Sequence, residues 1–261
     1  MSVLTKIVEM KEQRLASARA AVSLSDLKSM VRDAAPTRSF REAVTRNERG
    51  VRFITEVKKA SPSKGLLRKD FDHLRLASVY ASGGADAISV ITEEDFFQGS
   101  LRFLDDIRRS VPQPVLRKDF VIDAYQLYEA RAYGADAVLL IAAILDRHQA
   151  SDLLMLAGEL GMGVLFEVHD RMELDMVLET GAPIIGINNR NLKTLDIDLS
   201  TTHLLKKDIP HDRLVVSESG IRTRQDVQTM EAWGVDALLI GTCLVEAADI
   251  SAKLRELRGR R

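Results

Sequence analysis

The amino-acid sequence predicts an α/β fold, a closed (β/α)8 TIM barrel that follows an N-terminal helical extension. First, a glycine-led phrase recurs about every 50 residues, and self-similarity at such a period is typical of repeated structural units. Second, several predicted strands are apolar throughout, as parallel strands are when helices cover the sheet. Third, eight alternating strand–helix units fit into roughly 210 residues, which favours a closed barrel.

The repeated phrase joins the end of one helix to the start of the next strand. Its glycine suits the left-handed conformation that commonly follows a helix C-terminus. A second strand–helix unit lies between successive copies, so one unit is roughly 25 residues long. The copies are GADAI at 84–88, GADAV at 134–138, GAPII at 181–185 and GVDAL at 234–238.

Apolar periodicity places the strands and helices of these units. The strands are expected near 52–57, 86–91, 114–118, 137–142, 162–168, 183–187, 213–217 and 236–240. The helices are expected near 72–82, 100–109, 123–133, 148–160, 170–180, 223–233, 246–257 and, with the weakest pattern, 200–207. An open doubly wound sheet is the alternative, but no GxGxxG motif follows the first strand.

Two helices precede the repeat, so we expect one domain over 1–261 in which residues 1–45 form the extension. The first helix is predicted over 3–20. The second is predicted to begin after Ser25, whose hydroxyl could cap it, and to close at Pro36.

Composition indicates a cytoplasmic enzyme rather than a membrane or nucleic-acid-binding protein. The apolar fraction is 46% and the formal net charge is -1, so no overall charge favours nucleic acid or anionic lipid. The basic cluster at 58–69 lacks aromatic residues for base stacking, which favours a solvated or phosphate-binding loop. One cysteine excludes an internal disulfide, and the charged N-terminus does not resemble a secretory signal.

Five scattered histidines have no metal-ligand spacing, so we expect no metal. The oligomeric state is not defined, and a monomer is compatible with the sequence.

Polar side chains follow seven of the eight predicted strands, at the carboxyl ends where barrel enzymes carry their chemistry. Any one of them could simply mark where a strand leaves the core. Two carboxylates and two ammonium groups in one barrel mouth would, however, shift each other's pKa, as acid–base catalysis requires. The catalytic candidates are therefore Glu56, Lys58, Lys118, Glu167, Asn188 and Glu218, with Arg190 as a substrate-binding candidate.

The loops after the last two strands predict a phosphate site. Loops at these positions commonly bind phosphate in this fold, and glycines let backbone N–H groups approach the anion. The candidates are Ser219 with Gly220, Gly241 with Thr242, and Ser61 from the first loop. Glycines that serve only tight turns are the alternative.

Five stretches of the chain resemble the motifs of the indole-3-glycerol-phosphate synthase family. They are EVKKASPSKG at 56–65, FQGS at 97–100, LRKDF at 116–120, GINNRNL at 186–192 and SESGI at 217–221. The resemblance runs from Ile7 to about Glu246 and includes the two extra N-terminal helices.

This resemblance implies ring closure of 1-(2-carboxyphenylamino)-1-deoxyribulose 5-phosphate to indole-3-glycerol phosphate, with loss of carbon dioxide and water. It implies that the six catalytic candidates act on the ring, ketone and carboxylate, and that the serine and glycine candidates hold the phosphate. It places Phe97 and Phe120 against the anthranilate ring. The reaction changes no oxidation state overall, so no cofactor is expected and the phosphorylated substrate is the expected partner.

Two other functions are compatible with the residues. Lys58 and Lys118 could form a Schiff base, as in an aldolase that acts on a sugar phosphate. The barrel could also be a non-catalytic binding subunit, although such a chain would not need all four charged residues at 56, 58, 118 and 167.

Overall fold

Eight parallel strands alternate with helices and close into a barrel in the computed structural model, which describes residues 3–48, 50–192 and 194–259. The strands are β1 (Arg52–Val57), β2 (Ala87–Ile91), β3 (Val115–Lys118), β4 (Ala137–Ile141), β5 (Gly163–Val168), β6 (Ile184–Asn188), β7 (Leu214–Glu218) and β8 (Ala237–Ile240). The ring closes because β8 pairs with β1, with Ile240 opposite Thr55. The predicted (β/α)8 barrel is confirmed.

The helices lie around the barrel and at its N-terminal extension. They are α1 (Val3–Ala21), α2 (Leu24–Asp33), α3 (Phe40–Val44), α4 (His73–Ser82), α5 (Leu101–Ser110), α6 (Ala124–Ala132), α7 (Arg147–Glu159), α8 (Arg171–Thr180), α9 (Ser200–Lys206), α10 (Arg224–Ala232), α11 (Thr242–Val245) and α12 (Ile250–Arg258). Among the described helices, none combines the length and apolar character that crossing a membrane requires.

Strand alternation divides the core into two layers and thereby positions the site. Outward residues such as Phe53 and Phe166 pack against the helices, whereas inward residues such as Ile54, Leu116 and Leu165 fill the barrel. Side chains two apart on a strand share a face. Each of these three inward positions is followed, two residues later, by a charged residue: Glu56, Lys118 and Glu167. These side chains therefore point into the barrel mouth from the carboxyl ends of β1, β3 and β5.

The repeated phrase has a structural cause in its aspartate. The amide N–H groups of Asp86, Asp136 and Asp236 each donate to the first or second residue of the preceding strand, at 2.9 Å. Their carboxylates accept a hydrogen bond from that same residue's N–H, at 2.8 Å. Each aspartate thus pins the start of its strand to the strand before it. The third copy has Pro183 at this position, which has neither an N–H nor a carboxylate and so makes neither of these contacts; its carbonyl accepts a hydrogen bond from Leu214 N–H of the next strand, β7.

The structure corrects several predicted boundaries. The second helix begins at Leu24, because Ser23 and not Ser25 caps it by accepting a hydrogen bond from the Asp26 amide at 3.1 Å. The helix predicted over 246–257 begins only at Ile250, as α12, and a separate short helix, α11, precedes the predicted segment. Short elements without periodicity were not predicted: α3, and a two-stranded hairpin of residues 60–61 and 65–66 after β1.

Helix α1 is tied to the barrel through a buried ion pair. Lys11 Nζ lies 2.7 Å from Asp119 Oδ1, and both side chains are less than a tenth exposed. Asp119 also pairs with Arg117 at 3.0 Å. Burial raises the pKa of Asp119, but Lys11 and Arg117 outweigh it and hold the pKa well below its ordinary value. The helix is therefore fixed beside the residue that follows Lys118.

Candidate active site

A cavity of about 520 Å³ opens at the carboxyl ends of the strands. This volume is in the range of small-molecule sites. All but one of the predicted site residues line it, and these are Glu56, Lys58, Ser61, Phe97, Lys118, Phe120, Glu167, Asn188, Arg190, Ser219, Gly220, Gly241 and Thr242. The exception, Glu218, lies at the cavity floor, where it is 1% exposed and contacts Lys118.

Lys118 is the centre of a cluster of three carboxylates. Its Nζ lies 2.6 Å from Glu218 Oε2, 3.5 Å from Glu167 Oε2 and 3.8 Å from Glu56 Oε2. Lys58 Nζ lies 2.6 Å from the other oxygen of Glu56, as their shared strand face predicts. The two lysines and three glutamates thus meet at one place.

Burial disfavours the charged form of each group in this cluster, whereas the neighbouring opposite charges favour it. Burial lowers the pKa of Lys118, but the three carboxylates outweigh it and raise the pKa above its ordinary value. Burial raises the pKa of Glu56, but Lys58 and Lys118 outweigh it and lower the pKa. Burial raises the pKa of Glu167, but Lys118, His169 and Asn188 together outweigh it and lower the pKa. Lys118 is therefore an ammonium at neutral pH, and Glu56 and Glu167 are carboxylates.

Glu218 is the exception among the carboxylates. Burial raises its pKa to about 7; Lys118 opposes the shift and nearby Glu167 adds to it. Its Oε1 is buried and accepts no hydrogen bond from the described residues. Carboxyl groups with separated proton affinities around one ammonium are the arrangement that acid–base chemistry uses.

Two glycines make room for the carboxylates. A Cβ on Gly186 of β6 would lie 2.4 Å from Glu218 Oε1, and a Cβ on Gly241 after β8 would lie 2.4 Å from Glu56 Oε1. Gly241 was predicted as a phosphate contact from its loop position, and the structure adds this second role. Any larger residue at either position would displace a carboxylate of the cluster.

The Gly186→Ala variant is expected to lose about 10²-fold in kcat, because a displacement of about 1 Å at a reacting centre has effects of that size. Steady-state kinetics would measure it. The matched control is Gly158→Ala in α7, where an added Cβ meets nothing within 4 Å. Unchanged kcat in Gly186→Ala would show that the position of Glu218 is not important.

The predicted phosphate residues also line the cavity. Ser219 and Gly220 both have positive φ, 66° and 89°, in the turn after β7. Such backbone turns can direct successive N–H groups to one anion. Ser61 and Thr242 line the cavity together with Lys64, which belongs to the predicted basic cluster at 58–69, and Arg222, which the sequence did not indicate.

Two aromatic rings form a third wall. The ring centroids of Phe97 and Phe120 are 6.3 Å apart, with their planes tilted by 39°. Both rings are half-buried, so they present apolar surface to the cavity. Val3, Leu4 and Ile7 of α1 extend this apolar surface. The cavity therefore combines an apolar slot, a charged centre and a polar glycine-containing turn.

Comparison with known proteins identifies the family. A family model described as indole-3-glycerol phosphate synthase matches residues 4–257. The indole-3-glycerol phosphate synthase of Alkaliphilus metalliredigens is 47% identical over 98% of this chain and 98% of its own. That of Albidiferax ferrireducens is 49% identical over 98% and 97%. That of Dehalococcoides mccartyi strain CBDB1 is 55% identical over 80% and 82%.

The chain belongs to the indole-3-glycerol phosphate synthase family. The family's enzymes are decarboxylating lyases of tryptophan biosynthesis, and the chain is such an enzyme.

Solved structures agree on the fold of this family member. The structure of 3-hexulose-6-phosphate synthase from Salmonella typhimurium has a TM-score of 0.66 at 16% identity, covering 80% of this chain and 97% of that one. The tryptophan synthase α-subunit of Pyrococcus furiosus has a TM-score of 0.61 at 17% identity, covering 80% and 98%. At these identities the likeness shows the barrel alone.

The sequence did not indicate His169 and Gly186, which lie beside the carboxylates of the cluster and do not line the cavity. His169 lies two residues after Glu167, so the same strand alternation that selected Glu167 could have pointed to it. Gly186 lies two residues before Asn188 on the same strand face, but the sequence does not show that its missing side chain makes room for Glu218. No group of three His, Cys, Asp or Glu side chains among the described residues could hold a metal ion.

Proposed function

We propose that the chain converts 1-(2-carboxyphenylamino)-1-deoxyribulose 5-phosphate to indole-3-glycerol phosphate, carbon dioxide and water by lysine and glutamate acid–base catalysis. The observation that carries this proposal is the cluster around Lys118, which faces the same cavity as an apolar slot and a turn with two positive φ angles. An aromatic carboxylate, a ketone and a phosphate on one flexible substrate match these three walls.

We assign the substrate's two ends to opposite walls. The anthranilate ring packs between Phe97 and Phe120, and its carboxylate meets Lys58 and Arg190. The phosphate lies at Ser61, Ser219, Gly220, Gly241 and Thr242. Holding both ends folds the substrate so that the ring carbon meets the ketone, and such positioning is itself a large contribution to the rate.

Lys118 acts on the ketone in the first step. The ring carbon attacks the carbonyl carbon, and the ammonium of Lys118 donates a proton to the carbonyl oxygen as negative charge develops there. The ring carboxylate, held by Lys58 until then, leaves as carbon dioxide, and the electrons of the broken bond restore the aromatic ring.

Dehydration completes the reaction. The new hydroxyl takes a proton and leaves as water, while a proton is removed from the neighbouring carbon. Glu167 and Glu56 are ionised and can accept that proton, and Lys58 can supply the acid. Asn188 lies beside Glu167 and helps to lower its pKa. Glu218 holds Lys118 at 2.6 Å.

The charge state of the lysines argues against the Schiff-base aldolase. A Schiff base requires a neutral amine as the nucleophile. Lys118 has three carboxylates within 3.8 Å that raise its pKa, and Lys58 is paired with Glu56. The Lys118 amine is therefore held in the protonated form, and the Lys58 amine is engaged by a carboxylate.

Three further features belong to this proposal. The chain is one domain with residues 1–45 as its extension, supported by the cavity contacts of α1. A monomer is compatible with the proposal, because this one chain supplies every wall of the candidate site. It works in the cytoplasm, in keeping with a biosynthetic enzyme that has one cysteine and no possible internal disulfide.

The test is turnover of the anilino-deoxyribulose phosphate by purified protein, followed as the appearance of indole fluorescence. We expect indole to form without added cofactor. A parallel incubation with borohydride should give no covalent adduct. Absence of indole would reject the synthase, and a borohydride-trapped adduct with a phosphosugar would support the aldolase.

A further inference from the structure

His169 lies behind Glu167, between two carboxylates. Its Nε2 is 3.2 Å from Glu167 Oε1, and its Nδ1 is 3.0 Å from Glu173 Oε2. The His169 side chain is only 8% exposed, and it does not line the cavity. Any effect of His169 on the reaction must therefore pass through Glu167.

Glu173 fixes the imidazole in place. Its carboxylate accepts hydrogen bonds from both the Nδ1 and the backbone N–H of His169, the latter at 2.8 Å. Glu173 lies in the first turn of α8, where its own amide N–H donates to the capping carboxylate of Asp170. The orientation of His169 is thus set by the start of a helix rather than by a loop.

The contact between His169 and Glu167 is mainly an ion pair. Nε2 makes no well-aligned hydrogen bond with the described residues, although the distance to Glu167 is short. Burial lowers the pKa of His169, but Glu167 and Glu173 outweigh it and raise the pKa to about 10. An imidazolium between two carboxylates follows from this geometry.

We propose that His169 is a positioning residue for Glu167: clamped by Glu173, it stays charged and keeps the Glu167 carboxylate ionised and turned to the cavity. The proposal rests on the proposed function, in which Glu167 accepts a proton. Glu167 needs such a partner because Lys118, its other cation at 3.5 Å, is closer to Glu218.

The charged groups around this pair come from three strands and one helix. Glu167 is faced by Glu56 of β1, Lys118 of β3 and Glu218 of β7. His169, just after β5, is faced by Glu167 and by Glu173 of α8. With three carboxylates around one lysine, removal of the imidazolium leaves Glu167 easier to protonate.

The test compares three variants with wild type: His169→Gln, Glu173→Gln and Glu179→Gln. The first removes the positive charge but retains a side-chain amide, and the second removes the clamp. The third is the matched control, since Glu179 lies on the same helix but pairs with Arg147 at the surface. Two readouts are used: the carboxyl titration of Glu167 by 13C NMR, assigned with Glu167→Gln, and the pH profile of kcat.

We expect His169→Gln to move the Glu167 titration and the acidic limb of kcat to higher pH by roughly 1 to 3 units, the usual effect of an adjacent opposite charge. The sign follows because Glu167 acts as a base only when ionised. Glu173→Gln should give a smaller shift in the same direction, and Glu179→Gln none. KM should stay within about twofold, because His169 does not line the cavity.

An unshifted Glu167 titration in His169→Gln would overturn the proposal. If that variant does not fold, an unshifted titration in Glu173→Gln overturns it equally. The NMR readout does not need turnover, so wild type that forms no indole rejects the proposed function alone. If wild type turns over normally and the Glu167 titration is unshifted in His169→Gln, only the role of His169 is rejected.

Discussion

The Lys118→Met variant is expected to lose roughly 10²- to 10⁴-fold in kcat, the usual contribution of a general acid. Methionine approximates the length of lysine and carries no proton to donate. The loss should appear in kcat more than in KM, because the ammonium acts where charge develops on the carbonyl oxygen. Indole fluorescence under saturating substrate would measure it.

The same variant is also expected to lose stability, and a double variant separates the two effects. Removal of Lys118 leaves Glu56, Glu167 and Glu218 without their shared cation, and loss of one partner from a buried ion pair costs about 3–5 kcal/mol. Lys118→Met with Glu218→Gln removes one positive and one negative charge. It should recover stability in urea denaturation without recovering turnover. Folded Lys118→Met protein with wild-type kcat would contradict the assignment.

The Ser219→Asp variant is expected to raise KM roughly 10²-fold, because a carboxylate against the substrate phosphate costs several kcal/mol. Ser219 has a φ of 66°, a region that Asp and Asn adopt more readily than most residues. The substitution therefore adds charge with little change in the backbone. Initial rates against substrate concentration would measure the effect.

The matched control for this variant is Ser219→Asn. Asparagine has nearly the shape of aspartate and tolerates the same backbone conformation, but it carries no charge. Its KM should stay close to that of wild type. Equal KM values for the Asp and Asn variants would remove Ser219 from the phosphate site.

Strand periodicity made much of the fold and the cavity predictable. The apolar runs and the recurring glycine located the eight strands, and the carboxyl-end rule then selected eleven residues that line one cavity; Phe97 and Phe120 came from the family resemblance. Glu56 and Lys58 could be paired from spacing alone, because a two-residue step keeps side chains on one face.

The remaining features depend on neighbours that are distant in sequence. Ser23 and Ser25 are equally good caps by composition, and only the backbone geometry distinguishes them. The role of Gly186 exists because Glu218, 32 residues later, occupies the space of its missing side chain. The ion pair of Lys11 spans more than a hundred residues, and a lysine on a helix surface gives no sign of it.

The buried Lys11–Asp119 pair divides the cavity walls into fixed and movable ones. Lifting α1 would break this buried pair and leave Asp119 with Arg117 as its ion-pair partner, so this wall should stay closed during turnover. The tip of the hairpin after β1, residues 62–66, is exposed, and its ion pair between Lys64 and Glu246 is much less buried than the Lys11 pair. Ligand exchange is therefore expected to occur through hinge-like opening of this hairpin, while α1 stays in place.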